Sequence, residues 1–183
     1  MHRNIHGHTS FQVLRYRLTQ VCQQLGFAAT LSPADIAEVK CWLPPTTLPL
    51  FRSMSHADQQ HSLRVCRGLQ ERGCVENDLL AAALLHDVGK AQGRVPFWTR
   101  PIIVLGKRFT PGLLARIVMP PSTFEKQRTS QWRRALSYAW WHADVGADLA
   151  ANAGLSEQAV LYIRTHHQPD GPAALLHEVD EVS

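Results

Sequence analysis

The chain of 183 residues is long enough for one compact domain with a sizeable core. Hydrophobic residues make up 45% of it and charged residues 19%, a balance that excludes an intrinsically disordered protein. The net charge of +4 suits an anionic small-molecule ligand, whereas the lack of any dense Lys/Arg run gives no indication of nucleic-acid binding.

Apolar residues recur at helical spacing along almost the whole chain. Helices are predicted, in chain order, over residues 11–25, Pro33–Trp42 with Ser32 as N-cap, 55–71, 78–87 with Asn77 as cap, 102–108, 111–118, 127–138, 139–153, 156–166 and a short segment that begins near Pro172. Breaks are predicted at residues 43–49, 92–101 and 119–122. No run of alternating β-branched residues and no internal repeat is present, so the predicted fold class is all-α.

The predicted break at residues 43–49 (LPPTTLP) contains three prolines and divides the chain. We expect an N-terminal helical arm over residues 1–49 and a main domain over residues 50–183. Residues 1–10 are polar and contain no apolar core like that of a signal peptide, and no stretch is long and apolar enough to cross a membrane. The four cysteines form no CxxC pair, so we expect reduced thiols and a cytoplasmic location.

Seven His and Asp residues stand out because, apart from two adjacent pairs, each lies on a different predicted helix or at its end. They are His61, His86, Asp87, His142, His166, His167 and Asp180. Burying an adjacent imidazole and carboxylate at a helix end, as in His86-Asp87, costs free energy unless a charged partner such as a metal ion compensates. The alternative is a hydrogen-bonded His-Asp pair in the core. No single helix could assemble all seven, so the helical bundle itself would build the site. Imidazole and carboxylate ligands together suit Mn, Fe, Ni or Zn.

The order His61…His86-Asp87…Asp180 resembles the pattern of the HD-domain metal-dependent phosphohydrolase superfamily. The segments that carry the resemblance are HSLRV from His61, LLHDVGK at residues 84–90, HADVG from His142 and IRTHH at residues 163–167. It covers about residues 50–183 and implies an HD-domain helical bundle. Residues 98–116 also resemble a group of uncharacterised bacterial HD-domain proteins.

The resemblance implies a metal site whose minimal ligand set is His61, His86, Asp87 and Asp180. Superfamily members with two metals add histidines from later helices, and His142 and His166 match those positions, with His167 as an alternative or additional ligand. We therefore expect two divalent transition-metal ions, with Asp87 as the bridge between them.

Two departures separate the chain from the cyclic-di-GMP phosphodiesterases of the superfamily. After the adjacent histidines the sequence continues QPDGP and lacks the Gly-Tyr-Pro of those enzymes. In addition, Ala57 stands four residues before His61, where an acidic residue would be needed. Both departures argue against cyclic-di-GMP as the substrate and against a third metal.

The expected activity is metal-dependent hydrolysis of a nucleotide or a related phosphoester or phosphoanhydride. Metal binding can lower the pKa of water to roughly 7 and so supply hydroxide at neutral pH. Two other functions stay open: a non-enzymatic module that binds metal or nucleotide and regulates a partner, and a di-iron oxygenase of the same superfamily. No nucleic-acid partner is expected, and the sequence leaves the oligomeric state open.

Asp87, Lys90 and Arg64 are the expected catalytic residues. Gly89 lets the backbone turn, so the Lys90 ammonium could fold back toward a phosphate, or it could be a solvated surface lysine. Arg64 lies three residues after His61 on the same helix face and could pair with a substrate phosphate or with a carboxylate.

Residues 101–119 combine many apolar side chains with Lys107, Arg108 and Arg116. The favoured interpretation is a pair of helices that covers the core beside the site. Contact with a membrane surface is the less favoured alternative.

Overall fold

The computed structural model describes residues 29–93, 99–123 and 129–183, and every regular element in these ranges is helical. The all-α prediction is therefore confirmed for the described part of the chain. The elements are, in chain order, α1 Pro33–Trp42, α2 Leu48–Ser53, α3 His56–Glu71, α4 Asn77–Leu85, α5 Gly89–Gly93, α6 Thr99–Phe109, α7 Pro111–Ile117, a 3-10 turn Pro121–Thr123, α8 Gln131–Asn152, α9 Glu157–Thr165 and α10 Ala174–Val182. The predicted helix over residues 11–25 lies outside the described residues.

Helix α4 lies at the centre of the fold. Residues 79–85 (LLAAALL) are all buried, as expected for a helix that is apolar on every side. It packs against α1, α2, α3 and α9. Val39 of α1 belongs to the same core cluster as Phe51 of α2 and Leu63 of α3, so α1 is part of the main core. The predicted boundary at residue 49 stays a prediction.

Serine side chains begin three of the helices. The Ser32 hydroxyl accepts a hydrogen bond from the backbone N–H of Asp35 at 3.1 Å, which confirms the predicted N-cap of α1. Ser55 and Ser156 cap α3 and α9 in the same way. Each such cap stabilises its helix by about 1 kcal/mol. The predicted starts of these three helices match the structure within one residue.

The structure corrects two of the predicted breaks because proline tolerates the first turn of a helix. α2 begins at Leu48, inside the predicted break at 43–49, with Pro49 in its first turn. α6 begins at Thr99, inside the predicted loop at 92–101, with Pro101 in its first turn. The N–H groups of a first turn have no partner within the helix, so a proline there costs nothing.

Two further predicted boundaries are wrong. α8 is one helix from Gln131 to Asn152, not two that meet at residues 138 and 139, since no glycine or proline interrupts residues 131–145. α4 begins at Asn77 rather than after it, and its N-cap Glu76 makes no side-chain capping bond. The chain then leaves α4 at Leu85, so that His86 and Asp87 lie in a turn before α5.

Two glycines let helices approach closely enough to build the site. A Cβ on Gly89 of α5 would lie 2.1 Å from the backbone oxygen of His142 in α8, a distance that no side chain permits. A Cβ on Gly68 of α3 would lie 2.8 Å from Val179 Cγ1 of α10. The first contact brings the turn at Asp87 to His142, and the second brings α10 to α3.

Helices α6 and α7 form a hairpin on the first half of α8. Ile103, Leu114 and Val118 are buried against Leu136 of α8. Among the described helices, none is both long and apolar enough to cross a membrane.

Candidate metal centre

The structure brings all seven predicted His and Asp residues into one cluster at the ends and faces of several helices. His61 comes from α3, His86 and Asp87 from the turn after α4, His142 from α8, His166 and His167 from the end of α9, and Asp180 from α10. The two glycine contacts described above hold these helices together at the cluster.

The first half of the cluster combines two histidines with two carboxylates. His61 Nε2 lies 2.8 Å from Asp180 Oδ1. His86 Nε2 lies 3.5 Å from that same oxygen and 3.6 Å from Asp87 Oδ2. One ligand atom each from His61, His86 and Asp87 lie within 4.8 Å of one another. The ligand atoms of His61, His86 and Asp87 are therefore close enough for one metal ion to bind all three at once.

The second half consists of three histidines. The ligand atoms of His142, His166 and His167 lie within 4.8 Å of one another. His167 is exposed, yet its Nε2 lies 2.9 Å from His142 Nε2, and its ring centroid lies 3.9 Å from that of His166. The sequence leaves open which of the adjacent histidines reaches the site; in the structure both do, because α9 ends at Thr165 and the pair lies just beyond it.

Asp87 lies between the two halves and is 2% exposed. Its Oδ2 faces His86 Nε2 at 3.6 Å, and its Oδ1 faces His142 Nε2, also at 3.6 Å. One carboxylate therefore directs one oxygen toward each half of the cluster, which is the arrangement that a carboxylate bridging two metal ions requires.

Backbone carbonyls orient three of the histidines. The Nδ1–H groups of His86, His142 and His166 donate to the carbonyls three residues earlier, at Ala83, Ala139 and Ile163, over 2.8, 2.8 and 2.7 Å. Nε2 is thereby the atom that each of these three rings directs into the cluster.

The Nε2 atoms of His86 and His166 are buried and have no hydrogen-bond partner. An unsatisfied buried nitrogen costs about 1–3 kcal/mol, so a structure that carries two of them side by side needs an explanation. Divalent transition metals bind this atom of a neutral imidazole. The donor set therefore fits such metals, because a metal ion would give the Nε2 atoms of His86 and His166 the partner that they lack in the protein.

Both carboxyl groups of the cluster are ionised. Burial works against the charge of Asp180, but the hydrogen bond from His61 and the charge of nearby His86 hold its pKa well below the usual range. Burial also works against the charge of Asp87, and the Lys90 ammonium and His86 outweigh it and lower its pKa. Two negative charges in a buried cluster favour a cation between them.

Three of the five histidines in the cluster have shifted pKa values. Burial opposes the charge of His86, but Asp87 and Asp180 outweigh it and raise its pKa to about 9. Burial, followed by the charge of Lys90, lowers the pKa of His142 to about 3. Burial, followed by His86, lowers the pKa of His166. The last two are therefore ready to act as ligands, whereas a metal that binds His86 has to displace its proton.

The two other predicted catalytic residues have different surroundings. Lys90 Nζ lies 2.5 Å from Asp87 Oδ1 and the side chain is only 17% exposed, so it is not the solvated lysine of the alternative interpretation. Arg64 is exposed on α3, and within the described ranges no contact joins it to the cluster. Its predicted role stays a prediction.

The structure also places His177, which is not one of the predicted ligands, beside the cluster. The side chain is half-buried, and its Nδ1–H donates to the backbone oxygen of His166 at 3.1 Å. Its position three residues before Asp180 was the available signal, because residues i and i+3 share a helix face. His177 thus ties α10 to the end of α9, beside the cluster.

Seven potential ligands therefore converge, with Asp87 between two groups that could each hold a divalent metal ion. Comparison of the chain with protein-family models, with curated proteins and with solved structures finds no match.

Proposed function

We propose that the chain is a metal-dependent phosphohydrolase with an HD-type helical bundle, and that it acts in the cytoplasm on a nucleotide or a related phosphoester or phosphoanhydride. The observation that carries the proposal is the position of Asp87, whose two oxygens each face a different group of histidines at 3.6 Å. Bridged two-metal sites of this kind serve the displacement of an oxygen at phosphorus.

Each metal has its own ligand group in this proposal. His61, His86 and Asp180 would hold one ion, while His142, His166 and His167 would hold the other, with Asp87 as a ligand shared by both. When bound, a pair of divalent ions supplies water of lowered pKa and positive charge against the phosphoryl oxygens.

The chain's own residues orient the metal ligands and offer positive charge to the substrate phosphate. The Ala83, Ala139 and Ile163 carbonyls fix the imidazole rings, so the ligand atoms need little rearrangement. Lys90, held at the edge of the cluster by its ion pair with Asp87, presents an ammonium that can bind a phosphate oxygen. Arg64, exposed on the helix that carries His61, is available for a more distant phosphate.

The proposal is tested with protein loaded with Mn or Fe and assayed on nucleotides, dinucleoside polyphosphates, a generic aryl phosphodiester and cyclic-di-GMP. We expect metal-dependent release of product from at least one of the first three classes. Bound metal without turnover of any phosphoester would contradict the proposal in favour of a binding module. Consumption of dioxygen by the Fe-loaded protein would favour an oxygenase, and cyclic-di-GMP as the only good substrate would contradict the substrate class.

Lys90→Gln is expected to lower kcat/KM by about 10- to 100-fold while the metal content stays unchanged, because the ammonium would touch phosphate and not the ions. The measurement is steady-state kinetics together with elemental analysis of the same samples. Lys40→Gln, at an exposed position on α1, is the matched control and should leave both unchanged. Unaltered kinetics in Lys90→Gln would remove this lysine from the site.

A further inference from the structure

The hairpin of α6 and α7 carries a stripe of solvent-exposed apolar residues on its outer side. Ile102, Leu105 and Phe109 are 44%, 55% and 70% exposed, and they recur at the three- and four-residue spacing of a single helix face. Leu113, 58% exposed at the start of α7, adds to them. Isolated exposed apolar residues are ordinary, but a contiguous stripe marks an interaction surface.

The core does not account for this stripe. Packing on α8 uses the other side of the hairpin, where Ile103 and Leu114 are buried against Leu136. The interpretation of the hairpin as a cover for the core therefore describes only its inner face. On the outer face Ile102, Leu105 and Leu113 are exposed to water unless another surface covers them.

Charge identifies the kind of surface that fits. Residues 99–123 contain four of the chain's 19 Lys and Arg residues and none of its 15 Asp and Glu residues. The rest of the chain then carries 15 basic and 15 acidic residues, so the net charge of +4 equals the charge of the segment that contains the hairpin. Arg116 of α7 is one of these basic residues and is exposed.

We propose that this hairpin is a docking surface for an anionic lipid bilayer, with Ile102, Leu105, Phe109 and Leu113 inserted at the level of the headgroups. A short amphipathic helix with apolar residues on one side and basic residues nearby binds in the plane of a membrane interface. Anionic lipids attract the basic segment, whereas a second copy of this chain would place two acid-free basic segments against each other. The proposal rests on this surface alone and does not depend on the metal chemistry.

The test is co-sedimentation of the full-length protein with vesicles of phosphatidylcholine, with and without about one third phosphatidylserine. We expect binding to the anionic vesicles that is lost at high salt, and little binding to neutral vesicles. Leu105→Gln combined with Leu113→Gln should weaken binding at least about tenfold, and Arg116→Gln about fivefold. Circular dichroism checks that these surface variants stay folded.

Matched controls lie elsewhere on the surface. Val75→Gln combined with Leu161→Gln removes two exposed apolar side chains outside the hairpin, and Arg52→Gln removes an exposed arginine; neither change should alter binding. Equal losses in hairpin and control variants would overturn the proposal. A wild-type protein that does not bind anionic vesicles would also overturn the proposal, whether it is a monomer or a dimer. If it is a dimer that Leu105→Gln combined with Leu113→Gln dissociates, the stripe is a contact between two copies of the chain.

Discussion

Asp87→Asn is expected to lower the turnover of the metal-loaded protein by about three orders of magnitude or more. The substitution keeps the shape of the side chain but removes its charge and one of its two anionic oxygens, which face His86 and His142. The negative charge and the bridge between the two halves are lost together, so the content of bound metal should fall with the activity. Kinetics and elemental analysis of the same preparations measure the two effects.

His56→Gln is the control for the Asp87 substitution. His56 is an exposed histidine in the first turn of α3, only five residues before His61. We expect activity and metal content close to those of the wild type. Full activity in Asp87→Asn, or equal losses in the two variants, would contradict the assignment of Asp87.

Gly89→Ala is expected to destabilise the protein by about 3 kcal/mol or more, because the added Cβ meets backbone and not a flexible side chain. It would lie 2.1 Å from the His142 oxygen and 2.9 Å from the Gly146 nitrogen, so α5 and α8 have to move apart. For a chain of this length, that loss corresponds to a fall in Tm of about 6–12 °C. The same movement separates Asp87 from His142, so metal affinity should fall as well.

Gly112→Ala is the matched control for that prediction, since a Cβ on Gly112 of α7 would meet nothing within 4 Å. Its Tm should stay the same or rise slightly, because alanine has the better helix propensity. Thermal unfolding of the two variants beside the wild type gives the comparison. Equal melting temperatures for Gly89→Ala and the wild type would show that α5 and α8 are not held by this contact.

Much of the fold could be predicted from the sequence because local signals are strong in this chain. Serine caps mark where α1, α3 and α9 begin, and a helix that is apolar on every side, such as α4, has to be central. The predicted boundaries that are wrong depend on proline in a first turn, at Pro49 and Pro101, or on a helix without any internal break. At those positions the local sequence is compatible both with a helix and with a break, and tertiary packing decides where the helix begins or ends.

The members of the cluster could be named from the sequence, and the resemblance also implied Asp87 as a bridge between two metals, but the helix packing that sets their geometry could not be predicted. His86-Asp87 stands out as an expensive pair after an apolar helix, and the other members lie on separate helices. That Asp87 faces both halves depends on the crossing of Gly89 with α8, which no pattern in the sequence reports. The contact of His177 with the His166 carbonyl could not be predicted for the same reason, since it joins two helices.

The most direct test of the account is the number of metal ions that the protein binds. Protein prepared without a His tag, loaded with Mn or Fe and freed of excess metal, should carry about two ions per chain by elemental analysis. His142→Ala combined with His166→Ala should reduce this to about one, because only the half with His61 and Asp180 stays intact. Replacing His2, His6 and His8 should leave the count unchanged and so exclude adventitious binding near the start of the chain. A wild-type count of one ion or fewer, or a count that the double substitution does not change, would contradict a centre that spans both halves of the cluster.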